Sequence, residues 1–176
     1  ARALDAWGRA GIGVGDTVID VGAGPGYAAA DLAEIVGSRG RVIAIERSRR
    51  FLDALQQHAR QRGLSNISTI EADVVETAFG EGIADAAWCR WVLSFVRRPE
   101  AVVRHIGHVL KQHGIAVFHE YLDYRTWRLA PQSAAFERFV VAVIDSVRTD
   151  GGGIDSALAL PTLLADNGFE IVSTRP

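Results

Sequence analysis

The chain has no methionine, a single cysteine and no apolar run near the roughly 18 residues a membrane-spanning helix needs. Cys89 alone cannot close an internal disulfide and lacks the second cysteine of a zinc pair, so it reads as a small buried hydrophobe on a strand. No basic-then-apolar leader opens the sequence, which points to a cytoplasmic protein with no membrane partner. Strong charge of either sign is also missing. Lys and Arg number 19 against 21 Asp and Glu, a net charge of -2, which argues against affinity built on phosphate neutralisation and hence against a nucleic-acid partner. Arg47, Arg49 and Arg50 do cluster, but they open a helix and read as a solvated face. Because methionine is absent and Ala1 falls inside helix-forming sequence, the numbered chain is expected to be a trimmed piece of a longer protein.

What is present is a 176-residue chain, 48% hydrophobic and 23% charged, enough for one sizeable core and short for two. Its most informative stretch is Thr17-Val-Ile-Asp-Val-Gly-Ala-Gly-Pro-Gly-Tyr27. An apolar run that stops in glycines and turns into helix-forming sequence predicts a buried strand ending in a tight turn beneath a helix start. There backbone can approach a ligand with no side chain in the way. The dinucleotide fingerprint Gly-x-Gly-x-x-Gly would need glycine at 27, where this chain has Tyr27. Gly22, Gly24 and Gly26 follow Gly-x-Gly-x-Gly instead.

Downstream, Ala28, Leu32, Ile35 and Val36 recur at helical spacing, and Arg41-Val-Ile-Ala-Ile-Glu46 is a second short apolar run ending in a carboxylate. A carboxylate there can accept from two ribose hydroxyls; the alternative is a surface glutamate at a strand end. Ser48 is a candidate N-cap for a helix to about Arg62, with Phe51, Leu52, Leu55 and Ala59 on one face. Ile67 to Val74 is a third strand running into a turn, where Asp73 either meets a ligand or caps the turn. Ala84 to Phe95 holds a fourth strand and its exit loop. Pro99 opens a helix through Val102, Val103, Ile106, Val109 and Leu110, on which His105 and His108 read as exposed or packing residues. Lys111 to Gly114 forms a turn, Ile115 to Tyr121 a fifth strand, and Phe136 to Val147 another helical stripe ahead of Gly151-Gly-Gly153. A last helix is expected near Pro161 to Asn167, and Phe169 to Thr174 reads as a sixth strand without a hairpin partner.

Asp20-Val-Gly-Ala-Gly-Pro-Gly26 resembles the first motif of the class I S-adenosylmethionine-dependent methyltransferases, and Glu46, Asp73 and the loop beginning at Arg90 fall where that family has its later segments. The subgroup it is most similar to acts on small molecules. The resemblance implies an α/β fold, a Rossmann-like doubly wound and mostly parallel sheet. It also implies a single methyltransferase domain over residues 1–176, lacking part of the N-terminal helix and the last, antiparallel strand. Residues 122–153 would be a substrate cover between strands five and six; Tyr124, Arg125, Trp127 and Arg128 there suit a planar or anionic small molecule. The implied cofactor is S-adenosyl-L-methionine, with S-adenosyl-L-homocysteine as product and no metal. Its implied binding residues are Asp20, Gly22, Ala23, Gly24, Gly26, Glu46, Arg47, Ala72, Asp73, Val74 and Arg90. Asp73 would accept from the adenine amine, the Val74 amide would donate to the ring, and strand four would serve the methionine end.

The sequence around Cys89 and Arg90 carries neither the Pro-Pro signature of base amino-methyltransferases nor the Pro-Cys of cytosine C5 enzymes, and Asp85 lies at the wrong end of its strand for a catechol-type metal site. The implied chemistry is in-line displacement of methyl onto an oxygen, nitrogen, carbon or sulfur nucleophile. A base is required only when the acceptor must lose a proton. His119 and Glu120 end strand five, and alternation turns one of them toward the cleft; His119, whose ordinary pKa is about 6.5, is the favoured base. Two other functions fit the same elements: a non-catalytic cofactor-binding or partner subunit, and a nicotinamide-dependent oxidoreductase. Oligomeric state and the methyl acceptor are not encoded legibly.

Overall fold

A computed structural model describes residues 2–77 and 79–175, so Ala1, at the head of the expected first helix, Ala78 and Pro176 lie outside the described residues. Five strands form one sheet: β1 (Thr17–Val21), β2 (Arg41–Glu46), β3 (Ile67–Glu71), β4 (Ala84–Arg90) and β5 (Leu110–His119). Their order is β3-β2-β1-β4-β5 and every neighbouring pair is parallel. Parallel strands need crossovers, and these are helices on both faces. On one face α1 (Arg2–Arg9), α2 (Tyr27–Val36) and α3 (Arg49–Gln61) meet Val18, Val42, Ala44, Ala86 and Trp88. On the other, α4 (Pro99–Val109) and α6 (Ser156–Asp166) cover Ile19, Val21, Ile43, Ala87 and Cys89. α5 (Ala134–Thr149) packs with Tyr124 and Ile154 through Val147 in a separate small cluster.

The punctuation follows the residues. Ser48 Oγ accepts from the Phe51 amide at 3.4 Å and caps α3, and Pro99 occupies the first turn of α4, where its missing N–H is harmless. β1, β2 and β4 are largely buried on both faces, as a sheet covered twice requires, whereas the outer strands β3 and β5 are half exposed. Strand order reverses between β1 and β4, which places the crevice over their C-terminal ends.

Three expectations are corrected. Residues 169–175 form no strand, because an extended segment becomes one only against a neighbour and no described segment pairs with it; Val172 is 88% exposed. The 122–153 segment therefore follows β5 without leading into a sixth strand. β5 also begins at Leu110 rather than Ile115, its ladder to β4 jumping from Ala84↔Leu110 to Ala86↔Ile115, with His113 in the left-handed region at φ 65. And α6 starts at Ser156, with Pro161 inside it, because Leu160, Leu163 and Leu164 pack on the core and outweigh the lost helix bond. Among the described residues no helix is long and apolar enough to cross a membrane.

Candidate functional site

β1 delivers its chain straight into the glycine turn, and each glycine there does something different. Gly22, at φ 70, donates with Ala23 to the Ile45 carbonyl at 2.9 Å each, bolting the turn to β2; a Cβ on Gly22 would sit 2.5 Å from Val92 Cγ2. Gly26, at φ 84, begins α2, and a Cβ there would meet Leu55 at 2.3 Å. Gly24, at φ 55, has nothing within 4 Å of the position its Cβ would take. Two glycines thus let elements close on one another, and the third leaves a space open.

Glu46 closes that space from the side. Its Oε2 accepts from the Gly24 amide at 3.0 Å and its Oε1 from the Ser48 amide at 2.8 Å, so the end of β2 and the glycine turn are one unit. The Ala72 amide donates to the Glu46 carbonyl at 3.2 Å, bringing Asp73 alongside. Asp73 Oδ1 accepts from the Val75 amide at 2.8 Å, the turn-capping alternative, while Oδ2 lies 3.8 Å from Arg47, which is 73% exposed. Val74 is buried, and its carbonyl lies 3.2 Å from His105 Nδ1.

Beneath the turn, Asp20 is 2% exposed and its Oδ2 has no hydrogen-bond partner. Burial raises its pKa to about 7, against the pull of the Ala29 amide and with a further push from the Glu46 charge. Such an orphaned acid beside a glycine cradle suits a cationic ligand. Asp20 pairs in register with Trp88 of β4, and Trp88 stands edge-on to Trp7 of α1 with centroids 5.2 Å apart.

At the end of β4, the Arg90 guanidinium carbon lies 3.7 Å from the Trp91 ring centroid, and Arg90 Nε is buried without a partner. Trp91 holds a left-handed φ of 56 and donates its amide to the His119 carbonyl at 3.1 Å. The His119 ring lies 6.0 Å from both Trp88 and Trp91. Glu120 turns the other way: its Oε1 accepts from the Val92 and Leu93 amides at 2.8 and 2.9 Å. Burial lifts its pKa to about 6, with those two amides holding it down. Beyond it, Tyr121 stacks on Trp91 at 5.2 Å and meets Tyr124 and Trp127 edge-on.

The family resemblance implies that Asp20, Gly22, Ala23, Gly24, Gly26, Glu46, Arg47, Ala72, Asp73, Val74 and Arg90 bind the cofactor, and in the structure the elements that carry them meet at the C-terminal end of the sheet. The sequence reading did not anticipate Val92 behind Gly22, the Ser48 amide under Glu46, or Tyr121 against Trp91. No periodicity announces these, since each depends on a loop reaching across the sheet. Asp85 accepts from the Thr17 amide and from Lys111 at the opposite, N-terminal end of the strands. A cavity of about 240 Å³ lies there too, lined by Asp16, Asp85, Lys111 and His113 among others. Among the described residues no three His, Cys, Asp or Glu side chains are grouped as a metal site requires.

The family model described as "Methyltransferase domain" matches residues 19–118, more than half of the chain. A protein-L-isoaspartate O-methyltransferase of Methanococcoides burtonii is 34% identical over 59 residues, 34% of this chain and 29% of the relative. A 2-phytyl-1,4-naphtoquinone methyltransferase of Synechococcus elongatus is 35% identical over 100 residues, 55% of this chain and 42% of the relative. The chain therefore spans less than half the length of either. Among solved structures, a SAM-dependent methyltransferase from Aquifex aeolicus superposes with a TM-score of 0.73 at 16% identity, over 97% of this chain and 80% of that one, a likeness of fold.

Proposed function

This chain belongs to the methyltransferase domain family, and from that premise we propose that it transfers a methyl group from S-adenosyl-L-methionine to a small-molecule acceptor. The observation that carries the reading is the bond from the Gly24 amide to Glu46, which welds the glycine turn to the strand-two carboxylate with Asp73 alongside. The orphaned Asp20 Oδ2 and the open space at Gly24 are what a cationic nucleoside ligand would fill.

In this proposal Gly22 to Gly26 lie under the ligand, Glu46 accepts from its ribose hydroxyls, and Asp73 and the Val74 amide read its adenine, with Ala72 and Arg47 flanking. Asp20 and Arg90 serve the methionine end. When bound, S-adenosylmethionine would supply a methyl on a sulfonium, which an electron pair of the acceptor would take as the S–CH3 bond breaks, leaving S-adenosylhomocysteine. The chain's own task is alignment and exclusion of water, which supplies several kcal/mol of the barrier. His119, flanked by Trp88 and Trp91, takes the acceptor's proton where one must leave. The aromatic ring set of Trp91, Tyr121 and Trp127 favours a planar acceptor, and the longer of the two sequence matches, to the naphthoquinone enzyme, supports the same class.

Thermal shift with S-adenosylhomocysteine, S-adenosylmethionine and NAD in parallel tests the cofactor. Ligand at about 100 times its dissociation constant adds about 2.7 kcal/mol, or about 5 to 10 °C for a domain of this size. A shift with NAD alone overturns the reading. Transfer of labelled methyl into a metabolite extract then separates an enzyme from a cofactor-binding subunit.

A further inference from the structure

The loop leaving β4 is held at three consecutive peptides by the end of β5. The Trp91 amide donates to the His119 carbonyl at 3.1 Å, and the Val92 and Leu93 amides converge on one oxygen of Glu120 at 2.8 and 2.9 Å. The loop has need of such holding: Trp91 sits at φ 56, a region in which a bulky aromatic is strained and persists only when its surroundings fix it. A carboxylate oxygen is suited to the task, since it accepts two converging N–H groups and its charge strengthens both bonds. The next residue, Ser94, is fully buried, with its hydroxyl 2.7 Å from that of Ser156 at the head of α6, so the loop is tied on a second side.

What the loop carries is Val92. Its side chain stands directly behind Gly22, close enough that a Cβ on that glycine would lie 2.5 Å from Val92 Cγ2. Resting on the cofactor reading of the glycine turn, we propose that Glu120 is a positioning residue for that site. By gripping the Val92 and Leu93 amides it seats Val92 against Gly22 and so fixes the shape of the turn that receives the nucleoside ligand. Glu120 then acts from the residue just past β5, two strands away from the turn in the order β1-β4-β5, without touching the ligand.

The test compares E120D, E120A and E120Q for S-adenosylhomocysteine affinity by calorimetry and for Tm. Asp keeps the charge but is one methylene too short to hold both amides; Gln keeps the reach and an acceptor oxygen. E120D and E120A should bind S-adenosylhomocysteine about tenfold more weakly, the equivalent of one or two hydrogen bonds, and E120Q should recover most of that loss. If E120A does not fold, the E120D and E120Q pair still decides. A lower Tm in E120D with wild-type affinity would show a loop anchor of structural value only and overturn this inference alone. Wild-type protein that binds no S-adenosylhomocysteine would overturn the cofactor reading and this inference with it.

Discussion

Single residues carry most of the chemistry, and Asp20 has the sharpest consequence. Its pKa is raised from 3.8 to about 7 by burial, so the folded state keeps a proton that the unfolded chain releases. The sign follows: Asp20's contribution to stability is complete below about pH 4 and is lost as pH rises through about 7, a change on the order of 4 kcal/mol at most. A cationic cofactor would favour the carboxylate and expel that proton. Calorimetry of S-adenosylmethionine binding near pH 6, in buffers of different ionisation enthalpy, should show proton release that Asp20→Asn abolishes; a buffer-independent enthalpy would refute the coupling. Glu46→Ala should weaken S-adenosylhomocysteine by about 1 to 3 kcal/mol, because it removes the proposed ribose acceptor and frees the Gly24 amide. His119→Ala should lower turnover of a methylated acceptor while leaving cofactor affinity nearly unchanged. The sequence showed acidic residues at or near the ends of β1, β2 and β3. It did not show that Asp73 spends one oxygen on the Val75 amide, since capping and ligand binding call for the same side chain.

Elements respond differently at positions that look alike in sequence. Gly24→Ala and Gly26→Ala both place a side chain at positive φ, which costs about 1 to 2 kcal/mol. Only at Gly26 does the new methyl run into Leu55 of α3, adding about 1 to 3 kcal/mol of overpacking. Urea denaturation should therefore find Gly26→Ala the less stable of the two, while Gly24→Ala, whose methyl enters the open cleft, should lose S-adenosylhomocysteine affinity. Equal stability losses would mean that α2 and α3 are not packed as described. Helices α2, α3 and α4 were legible because apolar spacing and caps agreed with packing. α6 was read short at Pro161, because a proline inside a helix is visible in sequence and the leucines that compensate for it act only through the core.

At the scale of the molecule, β1, β2 and β4 are buried on both faces, and β3 and β5 lie at the rims. Native-state hydrogen exchange should be slowest in β1, β2 and β4 and faster along the rim strands β3 and β5; uniform protection would contradict this gradient. The α/β alternation made the fold readable from sequence, since a parallel sheet follows from apolar runs separated by helical stripes. Residues 169–175 escaped that logic because strand formation is a property of pairs. The Glu46 carboxylate is already immobilised by the Gly24 and Ser48 amides before any nucleoside arrives. In the proposed role, a sugar would meet lone pairs that need no search, so association would proceed without waiting on the protein, and discrimination among nucleosides would fall to how long each one stays.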